Sequence, residues 1–210
     1  MILIINCTKG FEFALIQNKK TIIKKKSRQL KSISEKLVVD IERALSKLKL
    51  NYKSIKEIVV ITGPGSFTGI RSAITFAKTL SIYLKIKVIG ISKFEVLNLL
   101  SMNDQKSKEK SIFVNNNQST FFLQKFNSSG EAISVPELVD LKEKGIKTSK
   151  KERIISDGLK LREYIDCGKK LKTVNLIEII GYRIEDIYKL SKQLSDKKYE
   201  VKPLYTKNLF

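Results

Sequence analysis

The chain has 210 residues, 42% of them apolar, with 41 Lys or Arg against 21 Asp or Glu and no histidine. That length holds one domain or two small lobes with a substantial core. The missing histidine excludes Ser-His-Asp and Cys-His catalytic units and removes the commonest zinc ligand. Cys7 and Cys167 stand alone, with no C-x-x-C spacing, as expected of reduced thiols in a cytoplasmic protein. No apolar run reaches the length of a bilayer span, and Met1 leads directly into a strand pattern without a basic leader. The net charge is +20, which invites a nucleic-acid reading. Only 6 of the basic residues are Arg, leaving 35 Lys. Lysine is a diffuse point charge, whereas Arg recognises phosphates and bases bidentately. With so much Ile and Asn beside it, the lysine content reads first as compositional. The charge is uneven, however. Residues 19–56 hold 13 Lys or Arg against Glu35, Asp40 and Glu42. Solvated surface is the simplest account. A salt-sensitive contact with RNA or an acidic partner is the alternative.

In chain order, residues 1–7 read as a buried strand, 11–17 as a second and 21–25 as a third, with turns at Lys9-Gly10 and Asn18-Lys19-Lys20. Ser32-Ile33-Ser34-Glu35 fits a capping box. Behind it Ile33, Leu37, Ile41, Ala44, Leu45 and Leu48 recur at helical spacing. A strand over 55–61, a helix over 67–85, a strand over 88–91 and a helix over 93–101 follow. Residues 102–110 are polar and aperiodic, and 103–110 are expected to link two lobes, 1–102 and 111–210. The second half repeats the plan. Strands are expected at 111–115, 120–126 and 131–135, then a helix from Pro136 to about Lys144, a strand at 153–156, a helix at 159–166 and a long helix at 176–194. Meander, helix, strand, helix thus occurs twice, which implies two mixed sheets covered by helices.

The most informative stretch is ITGPGSFTGIR, residues 61–71. It joins a strand to a helix through a tight turn. Gly63 and Gly65 permit unusual backbone angles, Pro64 fixes the turn, and Ser66 or Thr68 can cap the helix. A helix start after such a turn is a ready anion site, so Gly63, Gly65, Ser66 and Thr68 are the nucleotide-binding candidates. A plain turn without ligand is the competing reading. Neither G-x-x-x-x-G-K-[ST] nor G-x-G-x-x-G is present. On the helix, Gly69, Ala73, Ala77 and Ser81 are spaced by four and form a ridge of small residues. Phe67, Ile70, Ile74 and Leu84 beside it suit burial. The ridge suits either the chain's own sheet or a partner helix. Asp157 and Arg71 are weaker candidates, with a turn role and a surface role as their competing accounts.

GPGSFTGIR, its alanine-bearing helix and the following Ile86-Lys87-Val88-Ile89-Gly90-Ile91-Ser92 resemble the signature of the TsaB (YeaZ) family. The opening Met1 to Thr8 and the closing Lys202-Pro203-Leu204-Tyr205 are similar to that family's first strand and Pro-x-Tyr end. The resemblance is sharp over 58–92 and loose after 130. It implies the duplicated actin, sugar-kinase and Hsp70-like α/β fold. It also implies a non-catalytic partner of the transferase TsaD in forming N6-threonylcarbamoyladenosine at position 37 of tRNAs reading ANN codons. A TsaE-like ATPase would join the complex, and tRNA contact would be indirect or weak. By the same resemblance, the two N-terminal-lobe helices pair with a second copy or with TsaD. The expected interface is Gly69, Ala73, Ala77 and Ser81 with Leu37 and Ile41. Where nucleotide-using members of the superfamily carry acidic residues, this chain has Asn6-Cys7-Thr8 and Asn115-Asn116-Asn117. Asparagine is a weak Mg²⁺ ligand beside a carboxylate. No catalytic residue, metal or cofactor is therefore expected. A protease is not supported, and a small acyl or sugar kinase of the same fold is the rival reading.

Overall fold

Apolar side chains on both faces of short strands require cover on both sides, and the first sheet is built that way. The structure, a computed structural model, describes residues 1–27, 33–101, 109–144, 152–166, 175–194 and 201–204. Strands β1 (Ile2–Asn6), β2 (Phe11–Gln17) and β3 (Lys20–Ser27) form the expected antiparallel meander. Asn18 and Lys19 both take positive φ between β2 and β3, as a two-residue hairpin loop requires. Helix α1 (Ile33–Lys47) leads to β4 (Glu57–Ile61), helix α2 (Phe67–Leu84) and β5 (Lys87–Ile91). The sheet order is β3-β2-β1-β4-β5, with β1, β4 and β5 parallel. Leu3, Ile5, Ile58 and Val60 pack with the inward faces of α1 and α2 in one core. The alternate residues Ile4, Val59 and Ile89 are buried as well.

The second sheet repeats this order as β8-β7-β6-β9-β10. Its strands are β6 (Glu109–Asn115), β7 (Thr120–Asn127), β8 (Glu137–Asp140), β9 (Glu152–Ser156) and β10 (Asn175–Glu178). Helices α3 (Lys93–Leu100), α4 (Leu141–Lys144), α5 (Lys160–Asp166) and α6 (Ile184–Gln193), with a 3-10 turn at Tyr52–Ser54, complete the described elements. Phe113, Phe121, Ile154 and Leu161 centre the second core.

Several expectations are corrected. The third strand of the second sheet is Glu137–Asp140, not 131–135. Pro136 therefore precedes a strand, and the helix after it shrinks to Leu141–Lys144. Residues 176–194 are not one helix. Their apolar start pairs with β9 as β10, and helix begins only at Ile184. Glu109 and Lys110 extend β6 rather than a linker. The expected N-cap Ser32 lies outside the described residues. The compact units are Met1–Ser92 with Arg183–Leu204, and Lys93–Tyr182. This division differs from the expected one at 103–110, for a packing reason. Helix α3 lies on β6, and α6 lies on β1, β4 and β5.

Candidate functional site

The Gly-Pro-Gly turn works as a clamp on the first hairpin. The Ser66 N–H donates to the Thr8 carbonyl at 2.9 Å. Ser66 caps α2 as expected, its Oγ accepting from the Gly69 N–H at 3.3 Å, and its carbonyl accepts from the Ile70 N–H at 2.9 Å. Thr68 is exposed and one residue inside the helix. A Cβ on Gly65 would stand 2.7 Å from both Cβ and the carbonyl oxygen of Thr8. Gly63 is buried, has φ +114° and abuts Ile70. The Ser66 and Gly69 N–H groups are thus engaged inside the fold.

The hairpin beneath is held by its own polar groups. Asn6 Oδ1 accepts from the Thr8 N–H at 3.2 Å and the Thr8 hydroxyl at 2.8 Å. Cys7 is fully buried between them, and burial pushes its thiol up to about 12. A neutral, enclosed thiol is a poor nucleophile. In a Cys167→Ser background, Cys7 is therefore expected to react with a disulfide reagent at pH 8 only as the chain unfolds. Fast labelling of folded protein would contradict the burial.

The ridge of small residues faces inward. Ala73 and Ala77 have 0% exposure and lie in the same core as Leu37 and Ile41. A Cβ on Gly69 would fall 2.4 Å from the Cys7 carbonyl oxygen, so this glycine lets α2 approach the hairpin. The Ser81 hydroxyl donates to the Ile86 carbonyl at 2.6 Å and closes the helix end. Of the six residues expected at an interface, Gly69, Ala73, Ala77, Leu37 and Ile41 are buried in the unit's own packing, and Ser81 is half-buried. Among their mostly polar exposed residues, α1 and α2 also expose large apolar side chains. Ile82 is 80% exposed and Tyr83 71%, with Phe67, Val38 and Val39 also open. Arg71, exposed as expected, lies over the Phe67 ring at 5.0 Å. Tyr52 ties the helices together, its ring edge-on to Phe76 and its hydroxyl donating to the Val38 carbonyl at 3.4 Å.

In the second unit, Asp157 is neither a plain turn residue nor an open ligand. It is buried, accepts from the Asn115 N–H at 2.7 Å and pairs with the buried Lys93 ammonium. The Asn115 side chain donates to the Asn117 carbonyl at 3.0 Å, and Asn116 donates to the Thr120 hydroxyl at 3.1 Å. The asparagine run therefore shapes a hairpin turn. Beneath α3, the Lys110 ammonium donates to Asn98 at 3.1 Å, and Asn98 donates to the Gly130 carbonyl at 2.9 Å. Burial, then the Arg153 charge, lowers the Lys110 pKa. Among the described residues no group of three His, Cys, Asp or Glu is placed to hold a metal. No helix among them is long and apolar enough to cross a membrane.

Sequence reasoning missed three features. Lys93 and Asp157 are 64 residues apart, and no local pattern links them. Gly90 is small because a Cβ there would crowd Thr62 at 2.9 Å and Val201 at 3.4 Å. The 201–204 segment docks at that point, Leu204 N–H donating to the Thr62 carbonyl at 2.9 Å. Tyr205 lies outside the described residues. The exposed Ile82 and Tyr83 did carry a signal, since two large apolar residues at a helix end fall off the buried face.

A family model described as TsaD, tRNA N6-adenosine threonylcarbamoyltransferase, matches residues 27–206. A tRNA threonylcarbamoyladenosine biosynthesis protein TsaB of Buchnera aphidicola subsp. Schizaphis graminum is 32% identical over 100 residues, which is 48% of each chain. The match thus spans about half the length of that relative. The crystal structure of YeaZ from Pseudomonas aeruginosa superposes with a TM-score of 0.71 at 14% identity, over 97% of this chain and 98% of that one. A Bacteroides thetaiotaomicron protein with an actin-like ATPase fold and unknown function gives 0.55 at 11% identity, over 90% and 95%. The two structures share the duplicated fold. The chain therefore belongs to the TsaD-type family, and within it to the TsaB (YeaZ) proteins.

Proposed function

We propose that the chain is a non-catalytic subunit of tRNA threonylcarbamoyladenosine biosynthesis in the cytoplasm. It supports a TsaD-like transferase in forming N6-threonylcarbamoyladenosine at position 37 of tRNAs that read ANN codons, with a TsaE-like ATPase in the same complex. The observation that carries this reading is the pair of adjacent large apolar side chains left open at the end of α2, Ile82 80% and Tyr83 71% exposed. Large apolar side chains exposed side by side mark a protein contact. Such a subunit acts by binding one state of its partner more tightly than another. The asparagines at Asn6 and Asn115 favour the same reading, since both are engaged in turns. A small kinase of this fold is the second reading. Phosphate release from Mg²⁺-ATP by the chain alone, at about 1 per second or more, would favour it.

The variant Ile82→Glu/Tyr83→Glu tests the face directly. It should weaken binding to the TsaD-like transferase about a hundredfold, since both side chains would be anchors. Its melting temperature should stay close to wild type, because neither residue is in the core. The same variant measured by sedimentation reports whether the face also pairs two copies of the chain. Unchanged binding to the transferase would place the contact elsewhere.

A further inference from the structure

The connections of the first unit gather lysines at one end of its sheet. The pairings of Ile2 with Glu57 and of Glu57 with Lys87 set the starts of β1, β4 and β5 side by side. Ile2 also pairs with Ile16, which brings the β2–β3 turn to the same end with Lys19 and Lys20. The connection from α1 to β4 adds Lys49, Lys53 and Lys56, and the step from α2 into β5 adds Lys85 and Lys87. All seven are exposed. Among the described residues, three carboxylates at this end are engaged. Glu57 accepts from the Lys192 ammonium at 2.9 Å, and Glu185 accepts from the Thr21 hydroxyl at 3.0 Å. Asp186 accepts from the Arg183 N–H at 2.8 Å. Near the opposite end of the sheet, the first hairpin turn, the end of β3 and the start of α2 carry Lys9, Lys26 and Arg71, with Lys25 paired with Asp40 at 2.6 Å.

We propose that this lysine-rich end of the first unit binds the phosphate backbone of RNA, namely the tRNA of the complex. The inference rests on the tRNA role proposed above and adds a surface to it. From β3 to β5 the end is about 20 Å wide, four strand spacings, which is enough to follow several phosphates. Ammonium groups on flexible stems neutralise phosphates without reading bases. The surface therefore holds tRNA by charge and leaves sequence choice to the partner. Seven exposed lysines share this end, and three of its described carboxylates are already engaged.

The test is fluorescence anisotropy of an unmodified tRNA transcript with the full chain. Wild type is compared with Lys53→Glu/Lys56→Glu/Lys87→Glu and with Lys26→Glu/Lys142→Glu/Lys160→Glu, which makes the same charge change elsewhere. Circular dichroism checks that both variants fold. The patch variant should bind tRNA at least about tenfold more weakly, with a salt slope smaller by about two to three. The control variant should change by less than about threefold. Equal loss in both variants would overturn the proposal in favour of overall charge. Tighter binding to phosphatidylserine vesicles than to tRNA would overturn it in favour of a membrane surface. A patch variant that keeps tRNA but no longer co-purifies with the TsaD-like transferase would also overturn it, in favour of a protein contact. If the patch binds tRNA while wild type fails to bind the transferase, the subunit reading fails and the surface stands.

Discussion

Asp157→Ala is expected to destabilise the second unit by about 3–5 kcal/mol, the usual cost of removing one partner of a buried ion pair. Both side chains are almost fully enclosed, at 4% exposure for Lys93 and 3% for Asp157. The alanine would leave the Lys93 ammonium inside without its carboxylate. It would also take an acceptor from the Asn115 N–H, 2.7 Å away. Asp157→Asn should be milder, since an amide oxygen still accepts from Asn115. The double change Lys93→Met/Asp157→Leu should recover the part of the loss that comes from the stranded ammonium, because an apolar pair of similar volume carries no desolvation cost, while the Asn115 N–H stays without its acceptor. Urea unfolding followed by circular dichroism measures all three. If Asp157→Ala costs less than about 1 kcal/mol, the pair is hydrated rather than buried.

Gly69→Ala is the second large effect, and its sign is diagnostic. In a helix interior, replacing Gly by Ala ordinarily gains about 1 kcal/mol. Here the new Cβ would lie 2.4 Å from the Cys7 carbonyl oxygen. The atom in the way is backbone, so no rotamer relieves the clash. Helix α2 must lift from the hairpin, and a loss of about 1–3 kcal/mol or more is expected. Gly158→Ala serves as the control, since a Cβ there meets nothing within 4 Å. Thermal melts of the two variants should separate clearly. A stabilised Gly69→Ala would mean that α2 and the β1–β2 turn do not touch.

These two sites show where the sequence was readable. Periodicity located β1 to β5 with α1 and α2 because each shows a clean strand or helix repeat. The duplication followed from the order of elements. The turn at 62–66 was legible because Gly-Pro-Gly has few conformations open to it. Yet the spacing of Gly69, Ala73, Ala77 and Ser81 was consistent with two faces of packing. Small residues let any neighbour approach, and in the fold the neighbours are Cys7 and the chain's own core. The second half was read less well. At 131–144 a proline beside short apolar stretches fits a strand or a helix start equally. At 176–194 the break at Gly181 was hidden by apolar residues on both sides. The Lys93–Asp157 pair was not legible at all, since long-range ion pairs leave no local pattern.

The central claim is that the chain supports a transferase rather than performing the chemistry, and reconstitution tests it most directly. Unmodified tRNA would be incubated with the TsaD-like transferase, the TsaE-like ATPase, ATP and the threonylcarbamoyl donor, with and without this chain, and the modified nucleoside counted by mass spectrometry. The account predicts strong dependence on wild-type chain, loss of that dependence with Ile82→Glu/Tyr83→Glu, and little change on altering Asn6 or Asn115 in ways that keep the fold. Full modification without the chain, or loss of modification with a folded Asn6→Ala that still binds the transferase, would contradict it.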